Sequence, residues 1–255
     1  MTDTSSATSS PTSNSAPKTT KTVGVLGGMG PAATLDFFSK LLAKSKAVSD
    51  QGNLRVLIDN NPKVPNRNEA VAGTGPSPGP VLAEMAGGLE HSGADFLVMA
   101  CNAAHAFVAD ILEAVSVPFV SMIDETVAFT REHFPDATKI GVLGSSGALD
   151  AKLYHHAFAE HGVTVVAPEN GARHEFMQLL YQIKAGDLSD DVRGQMATLA
   201  ANLVAEGADV VIAGCTEVPL VLLDDAVSVP LIDSTDVLVD ATIAYATGLR
   251  ALPGR

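Results

Sequence analysis

Apolar residues fall in eight short, β-branched runs, at residues 23–26, 54–59, 96–100, 118–121, 139–143, 164–167, 210–213 and 230–232. Near-continuous runs of this length mark buried parallel strands covered on both faces. Between them the apolar positions recur at helical spacing. Over residues 172–185, Phe176, Leu179, Leu180 and Ile183 share one face, Gly186 offers a stop, and Ser189 is placed to cap the next helix. Strand and helix alternating in this way predict an α/β fold with right-handed crossovers.

The pattern also repeats. Gly93-Ala94-Asp95 leads through an apolar run to Cys101, and Gly207-Ala208-Asp209 leads through another to Cys215. Upstream, Val23-Gly24-Val25-Leu26-Gly27 answers Ile140-Gly141-Val142-Leu143-Gly144; downstream, Val115-Ser116-Val117-Pro118 answers Val227-Ser228-Val229-Pro230. The repeat predicts two similar parallel-sheet α/β lobes related by pseudo-twofold symmetry, with a cleft between them. The halves are residues 22–134 and 135–255, preceded by a Ser/Thr/Pro-rich tail over residues 1–21 that reads as a disordered extension. A final helix near residues 235–248 is expected to cross back onto the first half.

Charge narrows the partners. The net charge is −13, and the tail contributes +1, leaving −14 on the body. A surface this acidic argues against nucleic acid, whose phosphates are met by Lys and Arg. An anionic substrate would need a local basic pocket set against the overall field. No apolar stretch approaches the roughly 18 residues that span a bilayer. With no apolar signal core and only two cysteines, the expected compartment is a reducing cytoplasm.

In parallel α/β sheets, ligands bind beyond the carboxyl ends of the strands, where both cysteines fall. A free cysteine is often a small buried hydrophobe, but matched positions at two strand ends favour a shared chemical role. A helix N-terminus after each would lower the thiol pKa. Cys101, His105 and Cys215 form no recognisable metal spacing, so no metal is expected. The turn Gly27-Gly28-Met29-Gly30-Pro31 opens a helix, and its N–H groups at Met29 and Gly30 suit a carboxylate better than a dinucleotide. Asp59 comes too late for the dinucleotide pattern. Arg67 ends a proline-stiffened loop, Asp59-Asn60-Asn61-Pro62-Lys63-Val64-Pro65-Asn66-Arg67, and suits a bidentate carboxylate clamp. Lys184, in the last turn of a helix, reads first as a complement to the helix dipole and second as a functional cation.

The motifs resemble the cofactor-independent aspartate/glutamate racemase family. Gly27-Gly28-Met29-Gly30-Pro31, Asp59-Asn60-Asn61-Pro62, Ala100-Cys101-Asn102 and Gly214-Cys215-Thr216-Glu217 occur in that family's order, and the resemblance runs from Val23 to Ile243. Glu217 after Cys-Thr resembles the aspartate racemase branch, where the glutamate branch has histidine. The resemblance implies that Cys101 and Cys215 exchange a proton across a substrate stereocentre, with no cofactor. It implies that Arg67 and Lys184 grip the distal carboxylate of an acidic amino acid, while N–H groups near Gly30, Asn102 and Thr216 meet the other. Glu217 would orient the substrate amine or tune Cys215. A homodimer is also implied.

One position departs from the pattern, since Ala103 stands where the family has threonine. That leaves the substrate open. A maleate-type cis–trans isomerase of the same superfamily, and a two-lobed protein that binds acidic amino acids without turnover, are the alternatives. A malonate-type decarboxylase would lack one of the two cysteines. A nicotinamide dehydrogenase would depend on added nucleotide.

Overall fold

The computed structural model describes residues 20–254, so most of the expected tail lies outside the described residues. The first four strands are β1 (Val23–Gly27), β2 (Val56–Asn60), β3 (Phe96–Met99) and β4 (Phe119–Val120), paired in the order β2-β1-β3-β4. The second four are β5 (Lys139–Gly144), β6 (Thr164–Val166), β7 (Val210–Gly214) and β8 (Leu231–Asp233), in the order β6-β5-β7-β8. Every pairing is parallel, and the two orders are the same. Val25 pairs with Val98 as Val142 pairs with Ile212, so the sequence repeat is a repeat of register. Both central pairs are buried along their length, which explains their apolar runs without alternation.

The helices are α1 (Pro31–Ser45), α2 (Arg67–Val71), α3 (Gly79–His91), α4 (Val108–Ala114), α5 (Met122–His133), α6 (Ser146–Asp150), α7 (Leu153–Ala159), α8 (Asn170–Lys184), α9 (Asp190–Ala205) and α10 (Ser234–Ala246). In α8, Phe176, Leu179, Leu180 and Ile183 are the buried face, and Gly186 follows with φ +95. Only glycine takes such a turn without strain. Ser189 occupies the N-cap position of α9, but its side chain makes no capping bond. Instead its N–H donates to Asp187 Oδ1, so the serine sits in a local turn.

The two sheets exchange helices. From α5, in the first half of the chain, Ile123 and Val127 pack with Ile140, Val142 and Ile212 of the second sheet. From α10, Leu238, Val239, Ala241 and Tyr245 pack with Val23, Val25, Phe96 and Val98 of the first sheet. Ion pairs tie α1 to the end of the chain, Lys40 to Asp233 at 2.5 Å and Lys44 to Asp236 at 2.6 Å. These pairs are partly exposed and contribute little beside the apolar contact.

Candidate active site

Each sheet reverses direction of winding between its two central strands, and the crevice at that point is where α/β folds bind ligands. Cys101 follows β3 and Cys215 follows β7, at the carboxyl edges of those strands, 5 % and 9 % exposed. Neither leads directly into an α-helix. A 3-10 turn, Ala103–Phe107, follows the first, and another, Val218–Leu220, follows the second. Such short turns assemble little dipole. The lowered thiol pKa expected from the sequence therefore does not hold at Cys215. Burial pushes that thiol well above its ordinary value and the Glu217 carboxylate pushes it further, against a smaller pull downward from Lys184.

Glu217 is the hub of the second half-site. It is 3 % exposed, and its Oε2 accepts the Cys215 S–H at 3.1 Å and the Thr216 hydroxyl at 3.3 Å. Its Oε1 accepts from the Lys184 ammonium in a close ion pair. Burial works against the Lys184 charge, but Glu217 and the sulfurs of Cys215 and Cys101 outweigh it and raise the pKa. Glu217 thus joins the Lys184 ammonium to Cys215. The carboxylate that the sequence left between orienting an amine and tuning Cys215 makes the contact that tuning requires.

The glycine turn of the first half reaches this pair. A Cβ on Gly30 would lie 3.4 Å from Glu217 Oε1 and 3.6 Å from Lys184 Nζ. Gly30 is the N-cap of α1, so the positive end of a 15-residue helix faces the Glu217 carboxylate. The turn itself requires glycine, because Gly28 has φ +90 and a Cβ there would lie 2.4 Å from the Asn61 backbone. Its N–H is held by Thr34 Oγ1 at 2.8 Å. Met29 is buried, and its carbonyl accepts from Arg67 Nη2 at 3.3 Å.

Arg67 opens α2 after the proline loop. Its Nη1 donates to the carbonyls of Val64 and Pro65 at 3.1 and 2.9 Å, while its buried Nε has no hydrogen-bond partner. Backbone carbonyls thus engage both Nη atoms and fix the guanidinium beside the glycine turn. The second half repeats the device with a residue that the sequence did not single out. Arg173 Nη2 donates to the Ser146 carbonyl at 3.0 Å, and Ser146 stands two residues after β5 as Met29 stands two after β1.

The side chain of Asn102 is buried and fully engaged within the protein. Tyr154 and Ser234 of the second half engage both ends of its amide, leaving the backbone N–H as what Asn102 can direct at a ligand. Nothing in the sequence marked either partner, since each lies far from Asn102 along the chain. Among the described residues no group of three or more His, Cys, Asp or Glu is placed to hold a metal ion. No helix there is long and apolar enough to cross a membrane. A groove of about 1090 Å³ opens elsewhere, between Leu112, Phe119, Ile123 and Leu153.

His105 lines that groove and is bonded to the loop that carries Cys101. Its Nδ1–H donates to the Cys101 carbonyl at 2.8 Å and its Nε2 accepts the Met122 N–H at 3.0 Å, which fixes the neutral tautomer. Burial lowers its pKa to about 4. Because the unfolded imidazole titrates near about 6.5, the folded state disfavours the proton. This contribution to stability is complete above that value and is lost as pH falls towards 4, up to about 3 kcal/mol. Urea unfolding between pH 7 and 4.5 should show the loss, and His105→Gln should flatten it. An unchanged slope in the variant would contradict this assignment.

Two parallel α/β lobes wound alike, each ending one central strand in a buried cysteine, define the fold of the two-lobed racemases. The chain belongs to the Asp/Glu/Hydantoin racemase family, whose pattern matches residues 26–242, and membership makes it an isomerase of the racemase kind. It is 26 % identical to the broad specificity amino-acid racemase RacX of Bacillus subtilis over 226 residues, 87 % of this chain and 96 % of RacX. The aspartate racemase structure of Picrophilus torridus superposes with a TM-score of 0.80 at 26 % identity, covering 91 % of this chain and 96 % of that one. A glutamate racemase of Bacillus anthracis, at 22 % identity and a TM-score of 0.64, shares the fold over 91 % of this chain and 84 % of its own.

Proposed function

We propose that the protein interconverts L- and D-aspartate, with glutamate the next candidate, by proton transfer between two cysteines. The observation that carries this reading is the pair of buried cysteines at equivalent strand ends, with Cys215 joined through Glu217 to Lys184. One thiolate takes the α-proton from one face, and the C–H electrons pass into the substrate carboxylate. The thiol on the other face returns a proton to the same carbon. Cys215, whose S–H donates to Glu217, serves as the acid in one direction, with Cys101 as its partner base. After one turnover the roles are exchanged, as the reverse direction requires. N–H groups at Gly30, Asn102 and Thr216 would meet the charge that develops on the α-carboxylate. The Arg67 guanidinium, held against the Met29 carbonyl, would supply the positive charge for the distal carboxylate, with the Lys184 ammonium adding to it. The names of RacX and of the Picrophilus enzyme support an amino-acid substrate, and the latter supports aspartate.

Proton NMR of L-aspartate, and separately L-glutamate, in D₂O with no added cofactor tests the reading. Loss of the α-proton signal together with appearance of the D-enantiomer on a chiral column is expected. No exchange with either substrate overturns it, and maleate becomes the next compound to try because of Ala103.

A further inference from the structure

Three hydrogen bonds in series join the lobes beside the two cysteines. The Tyr154 hydroxyl donates to Asn102 Oδ1 at 2.7 Å, Asn102 Nδ2 donates to Ser234 Oγ at 3.1 Å, and the Ser234 hydroxyl donates to the Ala213 carbonyl at 2.8 Å. Asn102 directly follows Cys101, and Ala213 lies two residues before Cys215. Tyr154 and Asn102 are each 2 % exposed and Ser234 is fully buried, so water cannot substitute for a lost partner.

The polarity of the series is set from one end. The Ala213 carbonyl can only accept, so Ser234 must donate to it and accept from the Asn102 amide nitrogen. The amide oxygen then has to face Tyr154, which remains a donor because burial raises its phenol pKa. One orientation of Asn102 therefore satisfies all the groups. Tyr154 comes from α7, which packs under the second sheet, and Ser234 opens α10, which covers the first.

We infer that Tyr154 and Ser234 are positioning residues that lock Asn102 and so set the place of Cys101 relative to Cys215. Neither touches the reacting carbon in the scheme above; both act through the backbone on either side of the sulfurs. The inference rests on the two-thiol racemase reading, because that chemistry needs both sulfurs in reach of one carbon at once. An error of about 1 Å in such an arrangement can cost on the order of 100-fold in rate.

Tyr154→Phe and Ser234→Ala test it, since each removes one hydroxyl and keeps the surrounding packing. Turnover is expected to fall about 10- to 100-fold in both directions, with KM for each enantiomer within about twofold of wild type. Ser234→Thr, which restores a hydroxyl, should recover most of the loss. The double variant should be no slower than the worse single one, because a series broken once is already broken. A readout independent of turnover is cross-linking of Cys101 to Cys215 by dibromobimane, followed by mass spectrometry, with melting curves to confirm folding. Wild-type protein should cross-link and both variants should do so several-fold more slowly. Wild-type turnover and cross-linking in the variants, or a loss confined to KM, overturns the inference, as does a wild-type protein that cannot be bridged. If wild-type protein racemises no acidic amino acid, the proposed function fails by itself and the cross-linking rates still decide the positioning role.

Discussion

Cys101→Ala and Cys215→Ala are each expected to abolish racemisation in both directions, losing about 10²- to 10⁴-fold in turnover. The reason lies in the symmetry of the reaction. A stereocentre loses its proton on one face and gains one on the other, so each direction uses both sulfurs. Neither alanine should unfold the protein, because a thiol is small and the cavity left behind is slight. Circular dichroism would separate the two effects. Chiral chromatography starting from each enantiomer measures the loss, and near-wild-type turnover in Cys101→Ala would sink the two-base scheme. Serine at one position sharpens the test. A hydroxyl is a poor base, so in D₂O such a variant should wash out the α-proton from only one enantiomer.

Lys184→Met is expected to have the second largest effect, and through a different route. The Glu217 carboxylate is 4 % exposed at its side chain, with Lys184 as its counter-charge. Removing that counter-charge leaves a buried anion, which costs about 2 to 3 kcal/mol after allowance for the partial exposure of Lys184. The same change removes the one charge that pulls the Cys215 pKa down, so its thiolate should form only at still higher pH. Glu217→Gln should act in the opposite sense on the sulfur. It removes a charge that raises Cys215 and frees Lys184 to lower it, so thiolate absorbance near the ultraviolet edge should appear at lower pH. Alkylation of Cys215 followed over pH would check both variants. If they moved the titration the same way, Glu217 would not be the group that governs Cys215.

Much of this was legible in the chain. The eight apolar runs are the eight strands, because strands buried on both faces leave an unbroken apolar record. The register match of Val25 and Val142 with their partners was visible as repeated sequence for the same reason. The chemical environment of the site was less so. A cysteine at the end of a strand looks the same whether a helix or a 3-10 turn follows, and that difference removes the dipole expected at Cys215. Glu217 and Lys184 lie 33 residues apart, and pairing between helix and loop leaves no periodic trace. Tyr154 and Ser234 were invisible for a similar reason: the bonds they make are set by how two lobes close, and each residue alone is ordinary.

The exchange of α5 and α10 between the sheets bears on how the chain can be made. As synthesis proceeds from the N-terminus, the first sheet has all four of its strands once Val120 has been added. The face formed by Val23, Val25, Phe96 and Val98 is nevertheless covered only in part, by Phe37 and Leu41 of α1, until the last helix arrives more than a hundred residues later. A ribosome therefore holds a half-clad sheet through nearly half of translation. A cut between the halves would separate each sheet from one helix that packs on it.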